Sequence, residues 1–332
     1  WPLSFSFLHA LLGILIPLTN VTVIVVVYKL LKKKHAKSYI FIINLAAADM
    51  LVGLMCIVEA LDDLYDDDFD KNITFCLIRI CLTITPCISS ILTLLLISLD
   101  RYLAVRLPLH YHRFVCTRAI LVVLLLLWSW SFFMGHLPLI SPSLQQSNYT
   151  GYCGLLYSAK SEYLFILCFT VFIPALASII FLHLSLGWIA FIQHRLIWKT
   201  WPTPTTSILL YMRHFKAART VLIVIICFAL SWGPYYITGV IQARCPDCDL
   251  KDLLKDLLFL LGETNSLMNP LIYTFYSKDI RSYLSKLFSL TLQRKRNNGE
   301  GIKKGSLHIL LTLTQTHINL DLITNWNLTD FL

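Results

Sequence analysis

Apolar residues run along this chain in seven long blocks, 3–31, 39–61, 75–105, 119–140, 163–189, 217–241 and 253–276, parted by short polar stretches. A helix needs about 20 mostly apolar residues to cross a bilayer, and each block reaches that length. Strands of an outer-membrane barrel run about 10 residues and alternate in polarity, which these blocks do not. The pattern predicts an all-α membrane protein, a bundle of seven transmembrane helices over residues 1–290. After the last block Ile280, Tyr283, Leu284, Leu287 and Phe288 recur at helical spacing, with Lys278, Arg281 and Lys286 among them. That spacing predicts a short amphipathic helix lying on the membrane surface. Residues 291–332 read as a disordered tail that starts basic at Arg294, Lys295 and Arg296. Its part 306–323 is moderately apolar but mixed with polar residues, and is not read as an eighth span.

Composition agrees. Apolar residues make up 57% of the chain and charged residues 14%, with a mean hydropathy of +0.68; soluble domains run at about 45–50% and about 25%. The net charge of +9 is a matter of topology rather than of nucleic acid. Lys29, Lys32, Lys33, Lys34 and Lys37 follow the first block, whereas Asp62, Asp63, Asp66, Asp67, Asp68 and Asp70 follow the second. Basic short loops stay cytoplasmic, so the first loop is expected inside, the second outside, the N-terminus outside and the tail inside. Arg106, Arg113 and Arg118 after the third block, and Arg195, Lys199, Arg213, Lys216 and Arg219 after the fifth, fit that order. The chain opens on Trp1, so its natural start is expected upstream. The first block lacks a basic n-region and a small-residue cleavage site, and reads as an anchor rather than a cleaved signal.

Several polar residues interrupt the blocks. Asn20 in the first needs a partner on another helix. Asp49 in the second carries a carboxylate into mid-membrane, where it must face a polar interior, bind a cation or be protonated; a bond to Asn20 is one way to satisfy it. Pro174 and Pro234 are expected to kink the fifth and sixth helices, and Ser231-Trp-Gly-Pro234 looks like a moving part. The sequons at Asn72 and Asn148 lie in outer loops and are candidate glycosylation sites; those at Asn20 and Asn327 fall in the bilayer and inside. Cys76 and Cys153, each beside an outer loop in an oxidising compartment, suggest a disulfide. Cys245 and Cys248 suggest a small intraloop disulfide rather than half of a zinc site. The other six Cys read as buried small hydrophobes for the most part.

Taken together, Asn20, Asn44-Leu-Ala-Ala-Ala-Asp49, Asp100-Arg-Tyr102, Trp128, Pro174, Phe228-Ala-Leu-Ser-Trp-Gly-Pro234 and Asn269-Pro-Leu-Ile-Tyr273 resemble the marks of rhodopsin-like G-protein-coupled receptors, one set per span and in order. Cys76 stands before Arg101 at the family's disulfide spacing. Within the family the resemblance is strongest to a receptor for lysophospholipids and fatty-acid ethanolamides. It is carried by Ala229-Leu-Ser-Trp-Gly-Pro-Tyr-Tyr-Ile-Thr-Gly239, the Cys245–Cys248 loop and Asn265-Ser-Leu-Met-Asn-Pro-Leu-Ile-Tyr273. The resemblance implies a heterotrimeric G-protein partner of the stimulatory type, raised cyclic AMP and a plasma-membrane location.

It also implies roles for particular residues. Asp49, Ser90, Asn265, Ser266 and Asn269 match positions that surround a sodium ion; a water-filled polar network is the alternative. Asp100, Arg101, Tyr102, Pro234, Asn269, Pro270 and Tyr273 are the switch elements, and Leu109 is the apolar residue that docks on the G protein or packs on its own bundle. Many relatives restrain the Arg with an acid where this chain has His214, and support it with a Tyr where this chain has Leu182. A weakly latched switch with ligand-independent signalling is therefore expected, with Asp100 as its latch. Arg79, Thr83, Cys87, Trp232, Tyr235, Tyr236, Phe259 and Glu263 are the candidate ligand-binding residues, with Trp232 as the pocket floor. Thr83 stands where amine receptors need a carboxylate, which argues against an amine ligand. Arg79 reads as the cation for a phosphate, carboxylate or amide headgroup above an apolar cleft for an acyl chain, or as a salt bridge to Glu59, or as snorkelling. On the first reading Arg79→Ala abolishes lipid potency. Glu263 stands where opsins carry their retinal-linking Lys, which excludes a light receptor; it either bonds a ligand hydroxyl or amide, or is protonated and inert.

Other classes fit less well. A lipid hydrolase needs a metal cluster or a nucleophile with a base. His9, His136 and His183 lie on different blocks with no paired carboxylate expected nearby, and neither H-E-x-x-H nor G-x-S-x-G occurs. A transporter is disfavoured by the lack of an internal repeat. A lipid-binding protein that does not signal is countered by the intact Asp100-Arg-Tyr102 and Asn269-Pro-x-x-Tyr273. An enzyme is not expected.

Overall fold

The computed structural model describes residues 2–64, 71–200, 206–245, 248, 250–277, 279–286 and 289. Side chains are described for these except at 2–4, 63–64, 112, 190, 193–194, 196–200, 206–221, 255–256 and 275–276. The predicted all-α bundle is what forms, from seven long helical runs. They are α1 (Pro2–Lys34), α2 (Tyr39–Leu64), α3 (Ile73–Arg106), α4 (Thr117–Gly135), α5 (Ser161–Leu167, a π turn Cys168–Phe172, then Ile173–Thr200), α6 (Thr206–Arg244) and α7 (Lys251–Leu253, a π turn Leu254–Leu258, then Phe259–Tyr276). Among the described residues six helices are long and apolar enough to cross a membrane. The seventh, α7, is diluted by Glu263, Thr264, Asn265, Ser266 and Asn269. Leu18 and Val25 on α1, Leu125 on α4, Leu184 on α5 and Leu230 on α6 are exposed, as side chains facing hydrocarbon should be.

The breaks between runs have local causes. α1 closes as His35 takes a left-handed φ of 53° and its N–H returns to the Leu31 carbonyl at 2.9 Å, an αL cap. Asn72 caps α3 by accepting from the Thr74 N–H at 2.9 Å. The fourth block was expected to run unbroken to residue 140. Instead α4 ends at Gly135, and a separate turn, Leu137–Ile140, follows. Pro138 has no N–H for the Met134 carbonyl, and the Tyr163 hydroxyl donates to the Met134 and Gly135 carbonyls at 3.1 and 2.9 Å. The π turn of α5 falls just before Pro174 and relieves the crowding of its ring against the preceding turn.

α3 is the central helix, buried almost continuously from Cys76 to Ile97. Its hydroxyls make that possible by bonding their own helix: Thr83 donates to the Arg79 carbonyl, Thr93 to Ser89 and Ser98 to Leu94. Around it pack α2, α4, α5 and α6, while α7 packs on α1, α2 and α6 and so closes the ring. Trp128 of α4 donates to Asn44 Oδ1 at 2.9 Å, and Asn44 donates to Thr93 at 2.8 Å, tying α4, α2 and α3. α1 and α2 approach closely where Gly13 faces Ile57 and Gly53 faces Ile16 and Pro17; a Cβ on either glycine would collide.

The Cys76–Cys153 disulfide marks one end of the bundle and Asp100-Arg-Tyr102 the other. Beyond α7, residues 279–286 are helical; Asp279 accepts from Lys34 at 2.6 Å and from the Tyr39 hydroxyl at 2.9 Å. The chain divides into compact units Trp1–Arg281 and Ser282–Leu332. Leu287, Phe288, Lys278 and the tail from Gln293 lie outside the described residues.

Candidate functional site

Three clusters of the predicted residues emerge within the bundle. At mid-depth the Asp49 carboxylate is 0% exposed. Its Oδ1 accepts from Ser90 at 3.0 Å and Ser266 at 3.1 Å, and its Oδ2 from Asn269 Nδ2 at 2.8 Å. Asn20 does not serve it: its amide donates to the Ile16 and Ser266 carbonyls, both at 3.0 Å. Asn265 and Asn269 keep buried Oδ1 atoms without a hydrogen-bond partner. Oxygen ligands around one buried carboxylate suit a hard monovalent cation.

At the Asp-Arg-Tyr end, Arg101 donates to Asp100 Oδ2 from Nε at 3.0 Å and Nη2 at 2.5 Å. Asp100 is buried, and Arg101 is 27% exposed. The other oxygen of Asp100 accepts from the Tyr111 hydroxyl at 2.7 Å. Burial, with Asp100 beside it, pushes the Tyr111 phenol above its ordinary value, so it stays a proton donor. Tyr111 sits on the short helix Tyr111–Phe114 after Pro108, and sequence reasoning missed it because only that turn brings it back under α3. Leu109 projects from the turn, 92% exposed. Leu182 is buried, Tyr273 and Asn269 are buried on α7, and Pro234 lies within α6. The His214 side chain lies outside the described residues.

At the disulfide end an open pocket is lined by Phe5, His9, Glu59, Arg79, Ile80, Tyr235, Lys251, Leu254, Phe259 and the loop Cys153–Tyr157. Of the predicted ligand residues Arg79, Tyr235 and Phe259 line it. Thr83, Cys87, Trp232, Tyr236 and Glu263 are buried and are not among its lining residues. Trp232 packs edge-on to Tyr235 and Phe259, with ring centroids 5.9 and 6.1 Å away. The Cys153 disulfide holds the loop over the pocket, and the Tyr157 hydroxyl donates to Asp252 at 2.6 Å. Cys245 and Cys248 are also paired, while four of the six free cysteines are buried. Asn72 and Asn148 are exposed at this end.

Two pairings depart from expectation. Arg79 is not held by Glu59 alone: Nη1 donates to Asp62 Oδ2 and lies 3.5 Å from Glu59. His9, read as lacking a carboxylate, has Nε2 at 3.5 Å from Glu263 Oε2; α1 and α7 are the first and last spans, and ring closure brings them together.

Residues 19–273 match the family of the 7 transmembrane receptor (rhodopsin family). The chain belongs to that family, and is a multi-pass membrane receptor rather than an enzyme. It is 32% identical over 326 residues to the glucose-dependent insulinotropic receptor of Homo sapiens, covering 92% of this chain and 96% of that receptor. The receptor of the same name from Rattus norvegicus is 32% identical over 292 residues, 85% of this chain and 61% of that one. The adenosine receptor A2a of Homo sapiens is 28% identical over 302 residues, covering 86% and 72%.

Proposed function

We propose that this receptor sits in the plasma membrane with its N-terminus and disulfide end outside. It answers a lipid-like ligand, a lysophospholipid or an N-acyl ethanolamide, and couples to the stimulatory G protein to raise cyclic AMP. The observation that carries this reading is the similarity to the glucose-dependent insulinotropic receptor over 92% of this chain. The pocket supports it: Phe5, Ile80, Leu155, Leu156, Leu254 and Phe259 give it an apolar lining for an acyl chain, at about 0.8 kcal/mol per buried CH2. Leu109 at the opposite end offers the G protein an apolar knob. Cyclic AMP in transfected cells, against a panel of both lipid classes, tests the reading; silence across the panel with good surface expression removes the ligand class.

Ligand-independent signalling belongs to the same proposal, because Arg101 is held by its chain neighbour Asp100 and is itself part exposed. Tyr111 is the brace of that latch. Tyr111→Phe removes the donor on Asp100 at a cost of about 1 kcal/mol, and is expected to raise agonist-free cyclic AMP several-fold at equal surface level. A basal signal no higher than wild type would refute the brace; a wild-type signal equal to empty-vector cells would remove constitutive activity. A sodium ion is proposed at Asp49, held with Ser90, Ser266, Asn265 and Asn269, where it would supply a counter-charge to the buried carboxylate.

A further inference from the structure

The last turns of α1, at the Asp-Arg-Tyr end of the bundle, carry cations that neither the pocket, the Asp49 network nor the Arg101 switch uses. One side of α1 holds Ile16, Asn20, Val23, Val27 and Leu30 and is buried; the opposite side holds Leu18, Val21, Val25 and Tyr28 and is exposed. A helix turns about 100° per residue, which carries each stripe on to the helix end. Lys34 continues the buried stripe and reaches Asp279 at 2.6 Å. Lys29 and Lys32 continue the exposed stripe, Lys33 stands at its edge, and all three are exposed. Lys32 Nζ lies 4.7 Å from the centroid of the Tyr28 ring, the pairing of aromatic and cation expected where acyl chains give way to headgroups. Among the described residues no carboxylate pairs with these three lysines. They fall within about 6 Å along the helix axis. Cations that only orient a chain need not share a face; these three share the one that meets lipid.

We infer that Lys29, Lys32 and Lys33 form a site on the lipid-facing side of α1 for an inner-leaflet phospholipid whose head carries several phosphates, a phosphoinositide bisphosphate. This rests on the reading that the Asp-Arg-Tyr end faces the cytoplasm. The acyl chains lie along Val21 and Val25, and the head sits below Tyr28 among the three ammonium groups. Basic clusters just cytoplasmic of a spanning helix draw anionic headgroups, and lysine meets each phosphate as a compact charge. A head with one net charge neutralises one of the three lysines. A head with several phosphates meets all three while a single molecule is ordered, so its contacts act together. Lys34 takes no part, because Asp279 already holds it on the other side of the helix.

The test uses the purified full chain in detergent, with native mass spectrometry counting the lipids retained on each receptor. The probes are phosphatidylinositol bisphosphate, phosphatidylserine at matched total charge, and soluble inositol trisphosphate. The wild type is expected to retain one bisphosphate lipid at a concentration about ten-fold below that needed for phosphatidylserine. Replacing Lys29, Lys32 and Lys33 together by Gln should weaken that binding by about ten-fold and erase the preference. All three lie on an exposed face, so the variant is expected to melt with the wild type. The same replacement of Arg294, Lys295 and Arg296, the basic run of the tail, should leave it unchanged. Equal binding of the two lipids at matched charge, or a loss that follows the tail and not α1, overturns the inference. So does inositol trisphosphate binding as tightly as the lipid, because the apolar stripe would then add nothing. Antibody access to an N-terminal tag on intact cells reads the orientation separately: a tag reached only after permeabilisation removes the topology, whatever the lipid counts.

Discussion

Asp49→Ala is expected to lower the unfolding midpoint of the detergent-solubilised receptor by about 5–10 °C. The carboxylate is the common acceptor for Ser90 of α3 and for Ser266 and Asn269 of α7, and it sits on α2 itself. Removing it strands three buried donors at about 1–3 kcal/mol each. A loss of about 3 kcal/mol corresponds to a shift of that size in a domain of a few hundred residues. Asp49→Asn keeps one acceptor and should recover part of the loss. Thermal melts of the three forms in sodium chloride and in choline chloride serve both the network and the proposed ion. The wild type should be stabilised by sodium, and Asp49→Ala should not respond to it. A variant that melts within about 1 °C of the wild type would mean that the donors find other partners and that the three-helix tie is dispensable.

Loss of the Cys76–Cys153 bridge should be comparably severe. It joins residues 77 apart in sequence, and removing a native disulfide costs about 2–5 kcal/mol. Here it also holds the segment Gly154–Tyr157 against the pocket. Cys153→Ser should therefore reduce both the surface amount and the potency of any agonist, and a reducing agent should reproduce the effect on the intact receptor. The Cys245–Cys248 bridge spans only 3 positions, closes a much shorter loop and should matter less. Equal loss from breaking either bridge, read by cell-surface labelling and dose–response, would assign the role to cysteine chemistry in general and not to the tie over the pocket.

These expectations draw unevenly on sequence and structure. The family's ordered motifs already marked Asp49, Ser90, Ser266 and Asn269 as one group, and the fold brings their polar atoms together. The latch is different. Asp100 and Arg101 are neighbours and legible at once, whereas the brace from Tyr111 depends on how the chain turns after Pro108. For Arg79 the sequence leaves open a headgroup contact, a salt bridge to Glu59 and snorkelling; Asp62, one helical turn from Glu59 on the same α2, is the partner it does not point to. Both acids reach Arg79 because α2 and α3 pack side by side at this end. His9 has no carboxylate within its own span, and the one beside it, Glu263, comes from the far end of the bundle's sequence.

By itself the sequence determined the seven spans, their helical nature and the family. Run length, charge distribution and ordered motifs are properties of a linear chain, and the bilayer leaves helices as the solution for such runs. The tertiary structure alone decided which partners several buried polar groups take: Arg79 gains Asp62, Glu263 lies beside His9, and the Tyr111 hydroxyl donates to Asp100. Those pairings follow from a ring of helices that closes α7 onto α1 and α2 and folds the turn after α3 back under its own end. A buried charge takes the partner that packing brings within a few ångström, and that proximity is not written in sequence separation.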